Sequence, residues 1–504
     1  MSRTYLIGTD IGTSSTKTVI TDSMGNVAAA ATEYYDVLEP YPAWAEQHPD
    51  VWLAAVRNTI RRAVDDAGIG GQDVASICIS GLYGGSGVPL DLDMEVVRPC
   101  IIWMDRRSSD VCEELLREAD TTRLFEVTGN GVDSYFGYTK ILWIKKHEPE
   151  LWKRIRLFLP PNQYVIYRLT GQAVIDHTAA GNLAGIYDLE RGTWSGDMCR
   201  MLGIPEELMP QKILQPYEVA GVLTEEAAGE LGLAAGIPVC AGCVDCLSST
   251  LASGTAVPGQ HVAVLATSLN WGLLHTDRPR DPKYITMPFV TGGGVRYTYG
   301  GMSTAGALTR WFSEQFLPEK IPFSVLEEQA GKIRAGSEGL IVLPYFMGER
   351  CPIWDHKARG VLLGLTLRHS GAHVYRAILE SVGYGMKHMM EDYGFVPDGR
   401  HGCRLVGGGS SSKLWVQILA DITGVSMECV SEGIEAPFGS AFLAGYSAGI
   451  HGFEDIGAWE HRGRTVEPDP EKTRIYQEYF EIYKNLYYSI KEDMHKIADL
   501  SLIN

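Results

Sequence analysis

Two stretches of the chain, about 250 residues apart, follow the same order of apolar and polar positions. The first, residues 5–22, reads YLIGTDIGTSSTKTVITD. An apolar run leads into a turn of Gly12, Thr13, Ser14 and Ser15, and alternation follows. This predicts two strands joined by a tight turn. The second, residues 261–277, reads HVAVLATSLNWGLLHTD and repeats the plan around Ala266, Thr267 and Ser268. Repetition at that spacing halves the chain and predicts two related domains facing each other. Such a turn gathers backbone N–H groups and hydroxyls, the chemistry that cradles a phosphate. Taken alone, the Gly-Thr-Ser turn reads as a plain hairpin before it reads as a phosphate site.

A second pair accompanies the first. DCLSSTLASG (residues 245–254) and EAPFGSAFLAGYSAG (435–449) predict helices with one face of small residues, able to cross a neighbour closely, as connecting helices at a hinge would. Between them LVGGGSSSKLWVQILADITG (405–424) predicts strand, glycine turn and amphipathic helix. Its glycines would let a flat ligand such as a nucleotide approach the backbone. Near the C-terminus YQEYFEIYKNLYYSI places apolar residues at helical spacing, predicting a packed terminal helix.

A chain of 504 residues exceeds one ordinary core, so two or three domains are expected. Its 45% apolar and 21% charged residues describe a soluble globular protein. The net charge of −18 argues against a nucleic-acid partner, which would call for clustered Lys and Arg. No run of 18 apolar residues suggests a membrane span, and the opening residues carry no export pattern, so the cytoplasm is expected. The ten cysteines should then be reduced.

Three of them raise a question of chemistry. CAGCVDCLSS sets Cys240, Cys243 and Cys246 three residues apart around Asp245. A ferredoxin-type cluster needs a fourth cysteine where Thr250 stands. Structural zinc needs a second Cys/His pair, which nothing nearby supplies. The cysteines therefore read as core filler beside a buried strand. Asp245, placed between a strand end and a helix start, is either a cap or a catalytic group.

Together these stretches resemble the FGGY family of carbohydrate kinases, within the actin, hexokinase and heat-shock 70 ATPase superfamily, over nearly the whole chain. GVLLGLTLRHSGAHVYRAILE (360–380) matches the family's second signature, ending in His373, Ala377 and Glu380. YFGYTKILWIKKH (135–147) is similar to the first, with Gly137 where Pro, Ser or Thr is usual. LPYFMGERCPIWD (343–355) and WAEQHPDVW (44–52) are similar to further family stretches.

The resemblance implies an α/β fold of two duplicated ribonuclease H-like (actin-like ATPase) domains flanking a catalytic cleft. Residues 1–255 would bind sugar and phosphate and carry the catalytic base; residues 256–504 would bind nucleotide. By the same resemblance Asp245 is the base, and Asp10 and Asp245 serve Mg2+. Gly12, Thr13 and Ser14 grip the transferred phosphate, with charge from Lys17. Thr267 binds phosphate oxygens, and Gly408, Gly409 and Ser412 line the adenosine of ATP. The acceptor would meet Trp103, Asp105, Tyr135 and either Arg106 or Arg107.

One departure touches the substrate. Within ISGLYGGSGVPLD (79–91) this chain has Leu82, Tyr83 and Gly84 where xylulose kinases carry Gln, Met and His. The glycerol kinase pattern, Gln-Arg-Glu, is absent too. Tyr83 and Gly84 are thus expected at the acceptor, with one donor lost and room opened at Gly84. The expected activity is transfer of the γ-phosphate of ATP to a ketose hydroxyl, a pentulose such as D-xylulose first. Ribulose, erythritol or glycerol are alternative acceptors, and an actin-like ATPase without a sugar is the more distant one. The expected partners are sugar and ATP, without nucleic acid or membrane; a homodimer is left open.

Overall fold

The computed structural model describes residues 4–317, 321–430, 435–459 and 462–500. It divides into two compact units. One comprises Met1–Ala256, His275–Tyr297 and Ile434–Glu460; the other comprises Val257–Leu274, Thr298–Gly433 and His461–Asn504.

The first unit is built on the predicted hairpin. Strand Tyr5–Ile11 pairs antiparallel with Ser15–Asp22, and this in turn with Val27–Tyr34. On its other side Tyr5–Ile11 runs parallel to Val74–Gly81, and that strand runs parallel to Pro238–Cys240. Val219–Val222 closes the sheet antiparallel to Pro238–Cys240. Covered on both faces, the parallel strands are buried almost throughout, with Thr9, Asp10, Ser76 and Ser80 among their apolar residues.

Helix Pro49–Ala67 covers one face. Proline at its first turn, Asp50 beside it and Gly68 in the left-handed conformation (φ 63°) mark its ends. It buries Trp52, Val56 and Ile60 with Ile7, Ile11 and Ile20 of the sheet. Each such side chain contributes about 1.5–3 kcal/mol of apolar burial. Thr9, Thr18 and Thr59 lie inside this layer as a hydroxyl chain with 2.9 Å steps, ended by the Ala55 carbonyl at 2.8 Å, so these three hydroxyls are paired.

The two small-residue helices are Asp245–Ala252 and Ala436–Ser447, and they cross closely as expected. A Cβ on Gly439 would lie 2.1 Å from the Ser248 carbonyl oxygen. Ser248 Oγ bridges the crossing to Ala436 O at 2.6 Å and to Ser440 Oγ at 3.0 Å. Helix Ala436–Ser447 also lies on the first strand, where a Cβ on Gly8 would meet Pro437 O at 1.9 Å. Only glycine fits at either crossing.

The second unit repeats the arrangement. His261–Leu265 pairs antiparallel with Leu269–His275 and parallel with Cys403–Val406. Cys403–Val406 runs parallel to Met427–Val430, which Arg462–Val466 flanks antiparallel. Hairpin, two parallel strands and an antiparallel edge thus recur in the same order. The terminal helix Pro470–Leu500 buries Tyr476, Phe480, Tyr483 and Tyr487 along one face. Among the described residues no helix is long and apolar enough to cross a membrane.

Candidate active site

The turn of the first hairpin is held from three sides. Gly12 N–H donates to Ser15 O at 2.9 Å and closes it. Tyr35 braces it: its hydroxyl donates to Gly12 O at 2.8 Å and its N–H to Ser14 O at 3.0 Å. Trp103 Nε1 donates to Thr13 Oγ1 at 2.9 Å, joining the turn to the segment expected to meet the acceptor. Ser14 is exposed. Lys17 stands opposite Asp10 in the strand register and forms an ion pair with Glu435, the residue before helix Ala436–Ser447.

Asp10 and Asp245 come together at the carboxyl ends of the parallel strands. Ser80 Oγ, from the strand beside it, donates to Asp10 Oδ1 at 2.7 Å. Burial nevertheless pushes the Asp10 carboxyl up to about 6, against the opposing pull of Ser80 and Lys17. Asp245 is the first residue of its helix, and its Oδ1 accepts from Cys246 N at 2.6 Å. Burial, and then the neighbouring charge of Asp10, push Asp245 up to about 7. Each keeps a partly exposed edge. A carboxyl poised near neutrality can accept a proton from a hydroxyl at working pH. Two desolvated carboxylates that repel each other also form a hard-oxygen donor set, so the residues present fit Mg2+ held with substrate phosphates.

The cysteines around Asp245 point to separate partners. Cys240 and Cys243 are buried and Cys246 is half-buried. Cys240 Sγ lies 3.6 Å from Ser76 Oγ and accepts from the Cys78 thiol. Burial pushes the Cys243 and Cys246 thiols far up, against the thiolate that a metal would need. Among the described residues no group of three or more His, Cys, Asp or Glu is arranged to hold a metal ion.

In the segment expected to meet the acceptor, the two arginines separate cleanly. Arg107 is buried, bonded to Asp105 through Nε (2.9 and 3.0 Å) and Nη2 (2.7 Å). It also pairs with Glu46 at 2.7 Å and lies 3.6 Å over the Trp44 ring. Asp105 is itself fully buried and accepts from Ala45 N at 2.6 Å. The pair is a structural staple. Arg106 is the more open of the two, with one bond to Trp103 O at 3.2 Å.

The room expected at Gly84 is not there. A Cβ on this residue would lie 3.0 Å from the Tyr135 ring and 3.2 Å from Trp103 Cβ, and its φ is +88°. The missing side chain has been replaced by the approach of two aromatic residues. Tyr83 is buried, and burial pushes its phenol well up. Lys140, from the first signature's helix Gly137–His147, is fully buried beneath this corner. Its Nζ donates to Gly84 O (2.8 Å), Ser134 O (2.6 Å) and Tyr135 O (2.7 Å). Desolvation, then Arg106, push it down to about 7. Tyr135 OH accepts from Asn182 Nδ2 at 3.3 Å, and Asn182 Oδ1 is buried without a hydrogen-bond partner among the described residues.

In the second unit Thr267 is exposed at the tip of the second hairpin. The turn's carbonyls cap helix Gly306–Gln315: Thr267 O accepts from Ala305 N and Ala307 N at 3.0 Å, and Ala266 O accepts from Gly306 N at 2.9 Å. In the glycine turn, Gly408 has open space where a Cβ would stand. Gly409 does not: its Cβ would strike the Leu265 side chain at 2.4 Å. Ser412 caps helix Lys413–Thr423 through Trp415 N at 3.0 Å.

Tyr35, Ser80, Lys140 and Asn182 are absent from the sequence-based set. The lysine inside an otherwise apolar helical face was a readable signal; the other three show none in the chain around them.

The sequence matches the family model for the FGGY carbohydrate kinase N-terminal domain over residues 5–252 and the C-terminal domain over 262–448. It is 29% identical over 493 residues to the xylulose kinase of Bacillus subtilis, covering 97% of each chain. Among solved structures it is similar to xylulose kinase from Rhodospirillum rubrum (TM-score 0.91, 29% identity, 97% of this chain and 100% of that one). It is similar also to gluconate kinase from Lactobacillus acidophilus (TM-score 0.91, 25% identity, 98% and 100%). With both family domains matched in order over most of its length, and the duplicated strand plan in each half, the chain belongs to the FGGY family of carbohydrate kinases.

Proposed function

We propose that this kinase transfers the γ-phosphate of ATP to a hydroxyl of a ketose, with D-xylulose the leading acceptor, and that Asp245 is the general base. The observation that carries the reading is the placement of Asp245, first residue of its helix, with Asp10 at the carboxyl ends of the parallel strands, where burial raises its carboxyl. In-line transfer needs the hydroxyl oriented, its proton removed and the phosphate oxygens held.

Asp245 takes the proton. The N–H groups and hydroxyls of residues 12–14 hold the incoming phosphate. Tyr35 and Trp103 keep that turn in shape. Asp10 and Asp245 would hold Mg2+, which supplies neutralisation of phosphate charge when bound. Thr267 and the open face of Gly408 are the nucleotide contacts offered by the second unit. For the acceptor, Arg106, Trp103 and Tyr135 are the groups available, while Asp105 and Arg107 fix the segment that carries Trp103 and Arg106.

The relatives named as xylulose kinases support the pentulose; the likeness to a gluconate kinase makes a sugar acid the competing acceptor. The test is an ADP-release screen across pentuloses, hexuloses, tetritols, glycerol and gluconate. The reading expects the highest kcat/KM with a pentulose. A best acceptor outside the ketoses would refute the substrate, and ADP release independent of any acceptor would refute the kinase assignment.

A further inference from the structure

The loop 241–244 connects the end of strand Pro238–Cys240 to Asp245, and it is buried throughout. A buried backbone must find partners for its polar groups. Several come from neighbouring backbone. Ala241 N donates to Glu218 O (2.8 Å), Gly242 N to Pro216 O (2.9 Å), and Cys243 O accepts from Gly81 N (3.0 Å). Two come from side chains instead. Ala241 O accepts from Gln163 Nε2 at 2.6 Å, and Val244 N donates to Thr178 Oγ1 at 2.9 Å.

Both of these side chains converge on one carboxylate. Gln163 Nε2 also donates to Asp176 Oδ2 at 3.1 Å, so its amide protons reach both acceptors. The Thr178 hydroxyl donates to Asp176 Oδ1 and thereby turns a lone pair toward Val244 N. Asp176 accepts further from Thr178 N (2.8 Å) and Ala179 N (3.0 Å), capping helix His177–Leu183. It is fully buried, and neither the phosphate turn nor the acceptor corner uses it.

We infer that Asp176, through Gln163 and Thr178, is the clamp that fixes the loop 241–244 at both ends and so sets where the Asp245 carboxylate stands. This rests on the reading of Asp245 as the base. Asp176, Gln163 and Thr178 are positioning residues: the residue after the clamped Val244 amide is Asp245 itself. A base displaced by even a fraction of an ångström loses its alignment with the hydroxyl.

The test is Thr178→Val, nearly the same shape but unable to accept from Val244 or donate to Asp176. The expected result is a kcat lowered roughly 10- to 100-fold, the scale of a small misplacement, with KM for ATP and sugar little changed. Thr178→Ser, which keeps the hydroxyl, should restore most of the rate. A double-mutant cycle with Asp245→Asn separates positioning from general damage. Acting through Asp245, Thr178→Val should add no further loss to the residual rate of Asp245→Asn.

Additive losses in the cycle, or an unchanged kcat in Thr178→Val, would overturn the clamp while leaving the base assignment intact. Near-normal turnover of Asp245→Asn alone would overturn the base assignment, and the clamp with it. Should Thr178→Val fail to accumulate folded protein, Gln163→Met removes the other end of the clamp and faces the same cycle and the same outcomes.

Discussion

Replacing Asp245 by asparagine should cut catalysis sharply and stabilise the protein in the same stroke, and the second effect should depend on pH. The folded-state carboxyl sits at about 7, raised by burial and by Asp10. In the unfolded chain it returns to the ordinary value near 3.8. Below about 4 both states carry the proton, and ionisation costs the fold nothing. Between about 4 and 7 the native state holds a proton that the unfolded state has released, so stability falls as pH rises. Above 7 the native carboxylate is charged, desolvated and beside Asp10, and the full penalty applies. Three pH units correspond to roughly 4 kcal/mol at most. Asparagine carries no such penalty. Thermal unfolding of ligand-free, metal-free protein from pH 4.5 to 8.5 is the assay. At about 2–4 °C per kcal/mol, Asp245→Asn should melt several degrees above wild type at pH 8 and close to it at pH 4.5. Sugar-dependent turnover of the same preparation should fall by roughly 10²–10⁴. A melting advantage independent of pH, or none at pH 8, would refute the view that this carboxylate is held charged against its surroundings.

In ligand-free, metal-free protein Asp245 should take up its proton as pH falls through about 7, before Asp10 does near 6, followed by infrared titration of the carboxyl bands. Asp10→Asn, by removing a neighbouring negative charge, should lower the pKa that Asp245 shows in a ligand-free titration; an unmoved value would separate the two carboxyls. Gly84→Ala should cost about 1–2 kcal/mol for the left-handed backbone alone and raise the sugar KM by pressing on Tyr135, measured by melting and kinetics; wild-type values in both would show that the corner yields. Arg107→Leu strands buried Asp105, while Glu46 keeps Arg98, and should destabilise by about 3–5 kcal/mol, whereas Arg106→Leu should leave the melting temperature alone and raise the sugar KM. Cys243→Ala should retain turnover after exhaustive chelation and readdition of Mg2+ alone; loss of activity reversed by another metal would revive the cysteine triplet as a site.

Much of the fold was legible because its signals are local. Alternation with period two and a Gly-Thr-Ser turn are complete within residues 5–22, and the second copy within 261–277, so the duplicated hairpin needed no tertiary knowledge. The small-residue helices were legible for the same reason. A stripe of Gly, Ala and Ser has little use except close approach, and Gly439 meets Ser248 accordingly. The course of the chain between the units was not. Helix Ala436–Ser447 lies within the second half of the sequence yet packs on strand Tyr5–Ile11, and no pattern inside the helix names that strand.

At the site, the sequence could show which residue types stand where but not which of them are already occupied. Asp105, Arg106 and Arg107 look alike in a string. Only the folded chain reveals that Asp105 and Arg107 consume each other against Trp44 and Glu46, leaving Arg106 more open. Gly84 failed for the complementary reason. A residue without a side chain reads as space, but a close-packed interior does not leave space; it moves a neighbour in, here the ring of Tyr135. Lys140 then explains why the corner holds that shape. A buried ammonium spends its three protons on the carbonyls of Gly84, Ser134 and Tyr135, tying the glycine's loop to the ring that fills it. Under the proposed function, acceptor choice at this corner would depend on the lysine beneath it as much as on Tyr83 and Gly84.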